Sequence, residues 1–238
     1  MALAKGLAFY MNGVPLSCAL QSFDATAETE ALDATTLCNT ARTYALGLKT
    51  GTVSASGIWD ADTANEDKIH DVFQLAYTDA TDNVVTATLQ SLAFDADAVM
   101  FNATQTSYSV EASTGQLIIA SADFQTLSGV NFGKVIFSAD VDDATVDGTT
   151  KDFGASSTGG ALFQVHISNP DGDTGTVKLQ HSTDDSTWTD VATLTVTSDV
   201  YQALSYEVPK GTTLNRYVRA QCTADNDEIN FVAAVARR

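Results

Sequence analysis

Tyr44-Ala-Leu-Gly-Leu-Lys-Thr-Gly-Thr-Val-Ser-Ala-Ser-Gly-Ile-Trp-Asp60 is the stretch whose pattern decides the fold class. Its second half sets the small polar residues Thr52, Ser54 and Ser56 against the apolar Val53, Ala55 and Trp59, a repeat of two that sends alternate side chains to opposite faces of a strand. Upstream, Ala8 to Met11 reads as a strand and Val14 to Ser22 as its return. Asn12-Gly13 between them suits a type I′ turn, because both residues take positive φ at little cost. Downstream, Val84 to Leu92, Val99 to Ala103, Thr106 to Ala112, Gln116 to Ser121 and Phe132 to Ser138 read as further short strands. One segment turns helical: Asp62-Thr-Ala-Asn65 offers caps, Glu66 and Asp67 suit a helix N-terminus, and Ile69, Val72, Phe73, Leu75 and Ala76 share an apolar face. This predicts a helix over about residues 65–77.

Two segments break the pattern. Asp24 to Arg42 is polar, rich in Thr, Ala and Glu, and reads as a long loop of the kind that carries function or stays unstructured alone. Asp140-Val-Asp-Asp-Ala-Thr-Val-Asp147-Gly, with the Gly154–Gly160 run after it, reads as a linker. Beyond it strands resume at Leu162 to Ser168, Thr176 to His181, Trp188 to Val196, Ala203 to Val208, Arg216 to Thr223 and Ile229 to Val235. Asn169-Pro-Asp-Gly172, Asp184-Asp185 and Asp225-Asn226-Asp227 supply turns. The expected architecture is mainly β: a β-sandwich or barrel-like sheet with one flanking helix over residues 1–150, and a second small β-sandwich over residues 151–238, able to fold by itself.

The chain of 238 residues has 30 Asp+Glu against 12 Lys+Arg, a net charge of −18. Residues 1–150 carry −14 of this and residues 151–238 carry −4. Such a surface repels phosphate backbones, which excludes adhesive binding of nucleic acid but suits a protein that sits near DNA without holding it. Cys18, Cys38 and Cys222 are odd in number and show no CxxC or Cys/His spacing, so buried, reduced thiols are expected. No apolar run reaches the length of a membrane span, so no membrane partner is expected.

Chemistry-bearing motifs are lacking. His70, His166 and His181 form no HExxH or i, i+4 pair, although His166 and His181 could face each other across a sheet. There is no Gly-rich phosphate loop and no GxSxG elbow. Asp171-Gly172-Asp173 and Asp140 to Asp143 lack the twelve-residue Ca²⁺ loop pattern and read as turns. Trp59 and Trp188 lie in alternating patterns and read as core residues. No catalytic residue, metal site or cofactor is assigned.

The N-terminal hairpin, the acidic segment through Glu28, Glu30 and Asp33-Ala-Thr-Thr36, Arg42-Thr-Tyr-Ala-Leu-Gly-Leu48, the strand ending Gly57-Ile-Trp-Asp60 and the single helix together resemble the tail tube proteins of long-tailed bacteriophages, over roughly residues 5–138. Thr176-Val-Lys-Leu-Gln-His-Ser-Thr-Asp-Asp-Ser-Thr-Trp-Thr-Asp190 and Asn215-Arg-Tyr-Val-Arg-Ala220 resemble the Ig-like β-sandwich modules appended to phage tail proteins. The resemblance implies a structural virion protein that is not an enzyme. It would be assembled in the host cytoplasm into hexameric, stacked rings, with other tail proteins as partners and DNA passing through the lumen without specific binding. It also implies that the long loop reaches neighbouring subunits, which makes Asp24, Glu28, Glu30, Asp33, Thr35 and Arg42 candidate interface residues. The alternatives are a carbohydrate-binding or adhesive β-sandwich and a capsid decoration protein.

Overall fold

The structure, a computed structural model, describes residues 6–61, 68–79, 82–89, 91–168, 174–197, 201–225 and 228–238. In chain order the elements are β1 (Ala8–Met11), β2 (Val14–Pro15), β3 (Leu20–Asp33), β4 (Tyr44–Ile58), α1 (Ile69–Asp79), β5 (Asn83–Thr88), β6 (Asp97–Glu111), β7 (Ile119–Thr126) and β8 (Asn131–Asp142). There follow β9 (Thr145–Asp147), β10 (Lys151–Asp152), β11 (Ala161–Ile167), β12 (Thr174–Ser182), β13 (Thr189–Thr197), β14 (Gln202–Val208), β15 (Tyr217–Asp225) and β16 (Glu228–Arg237). The protein is mainly β, with strands in two sheets and α1 the one α-helix among the described residues.

The strands stack as four layers. The first is β10-β15-β12-β13 with β9 beside β15, and the second is β14-β11-β16-β8. Between them lies one hydrophobic core, which takes Ile136, Phe137 and Val141 from β8 as well as Phe163, Val165, Leu179, Val218 and Phe231. The sheet then continues from β8 to β6 through Asp97–Met100 paired with Asn131–Lys134, and on through β5, β1 and β2 to make the third layer. The fourth is β3-β4-β7 with the C-terminal half of β6. A second core of Phe9, Met11, Val53, Val85, Phe101 and Phe124 fills the space between third and fourth. Helix α1 closes this core with Ile69, Val72, Phe73 and Ala76, an i, i+3, i+4, i+7 stripe. Phe73 meets Phe124 edge to face with centroids 6.1 Å apart, and the His70 ring nitrogen lies 2.5 Å from the Tyr108 hydroxyl.

The second and third layers meet through two small apolar clusters, one with Met100, Val135 and Leu162 and one with Ala8, Tyr10 and Val232, and through a plane of buried polar groups. Strand β11 is buried on both faces: Phe163 and Val165 enter the first core, while Gln164 and His166 point the other way. The amide N–H of Gly13 donates to Nδ1 of His166 (3.3 Å), which leaves the proton on Nε2 to donate to Thr86 Oγ1 (3.0 Å). Thr86 donates in turn to Gln164 Oε1 (2.8 Å), and Gln164 donates to the Phe101 carbonyl (3.0 Å) and to Asn102 Oδ1 (2.8 Å). Asn102 Nδ2 reaches Ser205 Oγ at 3.0 Å. Asn12 and Gly13 form the expected turn with φ of 52° and 94°. A Cβ at residue 13 would lie 2.7 Å from the Ile167 carbonyl, so only glycine lets the turn press against β11 and β14. Ion pairs from Asp95 to Lys151 (2.5 Å) and from Asp97 to Lys134 (2.8 Å) add exposed braces of small individual effect.

Several expectations need correction. Asp24 to Asp33 is not loop but strand, because its alternation of Asp24, Thr26 and Glu28 with Ala25 and Ala27 pairs with β4 along its length. Val99 to Ala103 and Thr106 to Ala112 form the single strand β6, whose register shifts between Gln105 and Ser107. The acidic stretch from Asp140 is no free linker: Asp140 pairs with Asn230, and Val146 pairs with Cys222. Cys18 and Cys38 are exposed and only Cys222 is buried. His166 and His181 lie in different sheets. Trp59 packs on the second core, whereas Trp188 is partly exposed under the Arg219 guanidinium, 4.3 Å from its ring centre. The expected caps at residues 62–65 and the turn at residues 169–172 lie outside the described residues.

A boundary at residue 150 leaves β8 and its three core side chains apart from the core they complete. Losing such side chains costs about 2–5 kcal/mol each, together comparable to a domain's whole margin of about 5–15 kcal/mol. A fragment of residues 131–238 is therefore expected to melt cooperatively and one of residues 151–238 not to. Equal thermal unfolding of the two by circular dichroism would contradict this.

His166 yields a second prediction. A charged imidazole would turn an N–H towards the Gly13 N–H, and complete burial lowers its pKa from 6.5 to about 3. The unfolded chain then binds a proton that the folded one refuses. His166 therefore supports the fold fully above pH 6.5, and this support declines by up to about 1.4 kcal/mol per pH unit as pH falls towards 3. Partly buried His181 is shifted the same way. Between pH 6.5 and 4.5, urea unfolding of His166→Gln should show a shallower loss than the parent. Parallel curves would show that His166 is not the group responsible.

Candidate assembly arm and polar face

The fourth layer is a four-stranded sheet with both lateral edges open. β4 pairs with β7 over Thr52–Ile58, and β7 pairs with β6 over Ala103–Glu111. β3 has β4 as its one partner among the described residues. On β6, β8 and then β7 follow one another along one side, and β5 occupies the other side only as far as Ala103, so among the described residues the C-terminal half has β7 alone. Each open edge presents a row of backbone N–H and C=O groups without strand partners.

One face of this layer is apolar and covers the second core with Phe23, Ala25, Val53, Ala55, Ala120, Ala122 and Phe124. The opposite face follows from the repeat of two. It carries Ser22, Asp24 and Thr26 on β3, Thr52, Ser54 and Ser56 on β4, Ser121, Asp123 and Gln125 on β7, and Ser107, Ser109 and Glu111 on β6. Short side chains are cross-linked over it: Ser22 Oγ lies 2.7 Å from Ser56 Oγ, and Ser107 Oγ donates to Asp123 Oδ2 at 2.7 Å. Its charges are Asp24, Asp123 and Glu111, and none of these described residues is Lys or Arg. The face is polar and negative.

Beyond Gly51 the layer ends, but β3 and β4 continue as a two-stranded ribbon to the Asp33–Tyr44 pair. Both sides of this arm face solvent. Its register shifts between Thr29 and Ala31, opposite Gly47, whose missing Cβ makes room for Glu30. The tip is tied by side chains. Thr35 N–H donates to Asp33 Oδ1 (2.9 Å), Thr43 N–H donates to Thr35 Oγ1 (3.0 Å), and both the Thr36 amide and hydroxyl donate to Asn39 Oδ1. The hydroxyl and amide of Thr35 hold the Asp33 carboxyl below its ordinary pKa.

The arm is apolar where a free ribbon should be polar. Leu46 and Leu48 are each 81% exposed, Tyr44 57%, Leu32 47%, and Leu37 at the tip is fully exposed. A two-stranded ribbon is marginal in water and buries nothing here on its own account. Of the residues expected at an interface, Asp24 belongs to the polar face, while Glu28, Glu30, Asp33, Thr35 and Arg42 lie on the arm. The leucines and Tyr44 were not singled out in the sequence, although Leu46 and Leu48 were legible as apolar positions in a segment with no core to enter.

Several solved structures show a partial likeness to the chain. A chain of the virion of a native gene transfer agent particle matches 56% of this chain and 98% of its own, at 13% identity and a TM-score of 0.42. The SPP1 tail tube matches 55% of this chain and 78% of its own, at 12% identity and a TM-score of 0.44. The SPP1 Dit protein, described as a paradigm of the hub adsorption apparatus in phages infecting Gram-positive bacteria, matches 98% of this chain and 100% of its own, at 12% identity and a TM-score of 0.35. No protein-family profile and no curated protein matches the chain.

Proposed function

We propose that this chain is a structural subunit of a bacteriophage tail, the protein that builds the tail tube. The observation that carries the reading is the fourth layer: a sheet open at both edges, with a core on one face and a polar face free of Lys and Arg on the other. The two edges belong to different strands, so pairing β3 of one copy with β6 of the next is a head-to-tail contact, which closes into a ring when its rotation permits. Six copies is the ring size that the family resemblance implies. Such a ring removes every open edge of the layer and joins the layers into a continuous barrel.

With the core outside, the polar face lines the lumen. Asp24, Asp123 and Glu111 then recur around the channel, and no array of cations grips phosphates. Their repulsion is screened within about 8 Å at physiological salt, which centres a duplex without barring it. The arm extends past the ring to its neighbour, and the first two layers sit outside. The carbohydrate-binding alternative draws no support from Trp188, whose ring is stacked against Arg219.

Negative-stain microscopy of the purified chain should show tubes, and replacing residues 29–48 by a two-residue turn should leave a folded protein that forms none. Normal tubes from this variant would dismiss the arm as an assembly element. Tubes of the parent should not retain duplex DNA at physiological salt, whereas Asp24→Lys with Asp123→Lys should retain it with a steep salt dependence. Tight DNA binding by the parent, or a lumen of Lys and Arg in the assembled tube, would overturn the conduit.

A further inference from the structure

The arm lies at one end of β4, and an apolar cleft lies at the other. The cleft has a volume of about 360 Å³ and is walled by Leu16, Cys18, Ala19, Ile58, Trp59 and Ile69. Exposed Leu117 and Ile118 adjoin it, since the Trp59 N–H donates to the Ile118 carbonyl at 2.9 Å. β4 spans 15 residues, so the Tyr44 end of the arm and the cleft lie about 50 Å apart along one strand. We infer that the arm of one copy seats its leucines in this cleft of a second copy. The inference rests on the tube reading above and specifies its lengthwise contact.

Three features on the molecule favour this occupant. First, the arm exposes five large apolar side chains and the cleft an apolar wall, in equal numbers in every subunit. Second, charge does not oppose the contact: the tip carries Asp33 and Arg42, and the described residues of the cleft wall carry Asp60 and Lys68, so neither surface has a net charge to repel the other. Third, the contact is heterologous. An arm-to-arm contact pairs identical patches and stops at two copies, whereas arm-to-cleft leaves a fresh arm and a fresh cleft after every addition. The polymer therefore acquires a direction, set by the direction of β4.

The exposed thiols test this, because they sit at the two ends. Cys38 follows Leu37 at the tip, Cys18 lines the cleft, and Cys222 is buried. Tubes of the full chain are treated with a short flexible bismaleimide and the linked peptides identified by mass spectrometry. Links between Cys18 and Cys38 of different subunits are expected, giving a ladder of multimers that is lost in both Cys18→Ser and Cys38→Ser. Tubes that give only Cys18–Cys18 or Cys38–Cys38 links, or none, overturn the inference and leave the tube reading standing. A chain that forms no tube removes both. Ile58→Asp provides a second route: it should melt like the parent yet fail to elongate, and tubes of normal length from it also overturn the inference.

Discussion

Strand β11 has no face towards water, and this obliges its polar side chains to find partners inside the molecule. Gln164 and His166 find them on β5, on β6 and at the Gly13 turn, through a chain in which each donor meets an acceptor. Apolar contact is non-directional and would let two packed layers slide, but hydrogen bonds in a medium of low dielectric constant hold one geometry. The angle between the outer sandwich and the inner layers is fixed at this plane. So is the aim of the fourth layer, since β6 passes from the plane into that layer.

Soluble proteins usually guard sheet edges with charges, prolines or covering loops. The fourth layer shows little of this. β3 carries acids on its faces, but its backbone edge is open for 14 residues and contains no proline. The guarding that does occur is in the polar face, where Ser and Thr dominate the central strands up to the Ile58–Ile119 pair at one end. A chain that leaves edges open while keeping this face polar is shaped for pairing sideways and not for stacking face to face.

Much of this was legible in sequence where the signal is local. Thr52, Ser54 and Ser56 against Val53 and Ala55 gave both the strand and its two faces, Asn12-Gly13 gave the turn, and Ile69, Val72, Phe73 and Ala76 gave the helix stripe. The arm was misread because Ala and Glu are weak strand formers and neither face is buried. What makes residues 24–33 a strand is their partner, a tertiary fact. The place of β8 was hidden for the same reason, since nothing local to Val135, Ile136 and Phe137 says that β16 returns from the end of the chain to lie beside them. The polar plane was equally out of reach, because His166 meets Gly13 across 153 positions of sequence.

The β8–β16 ladder also bears on how such a chain can change by recombination. A module joined through a linker can be exchanged as a cassette, with a crossover anywhere in the linker. Here the strand nearest the C-terminus is inserted between β8 and β11, so a crossover near residue 150 would install a foreign β16 against a native β8. Eight register pairs, with an irregularity between Ala233 and Ala234, would have to be matched by the incoming sequence. The inner layers and the outer sandwich are thereby bound to descend together.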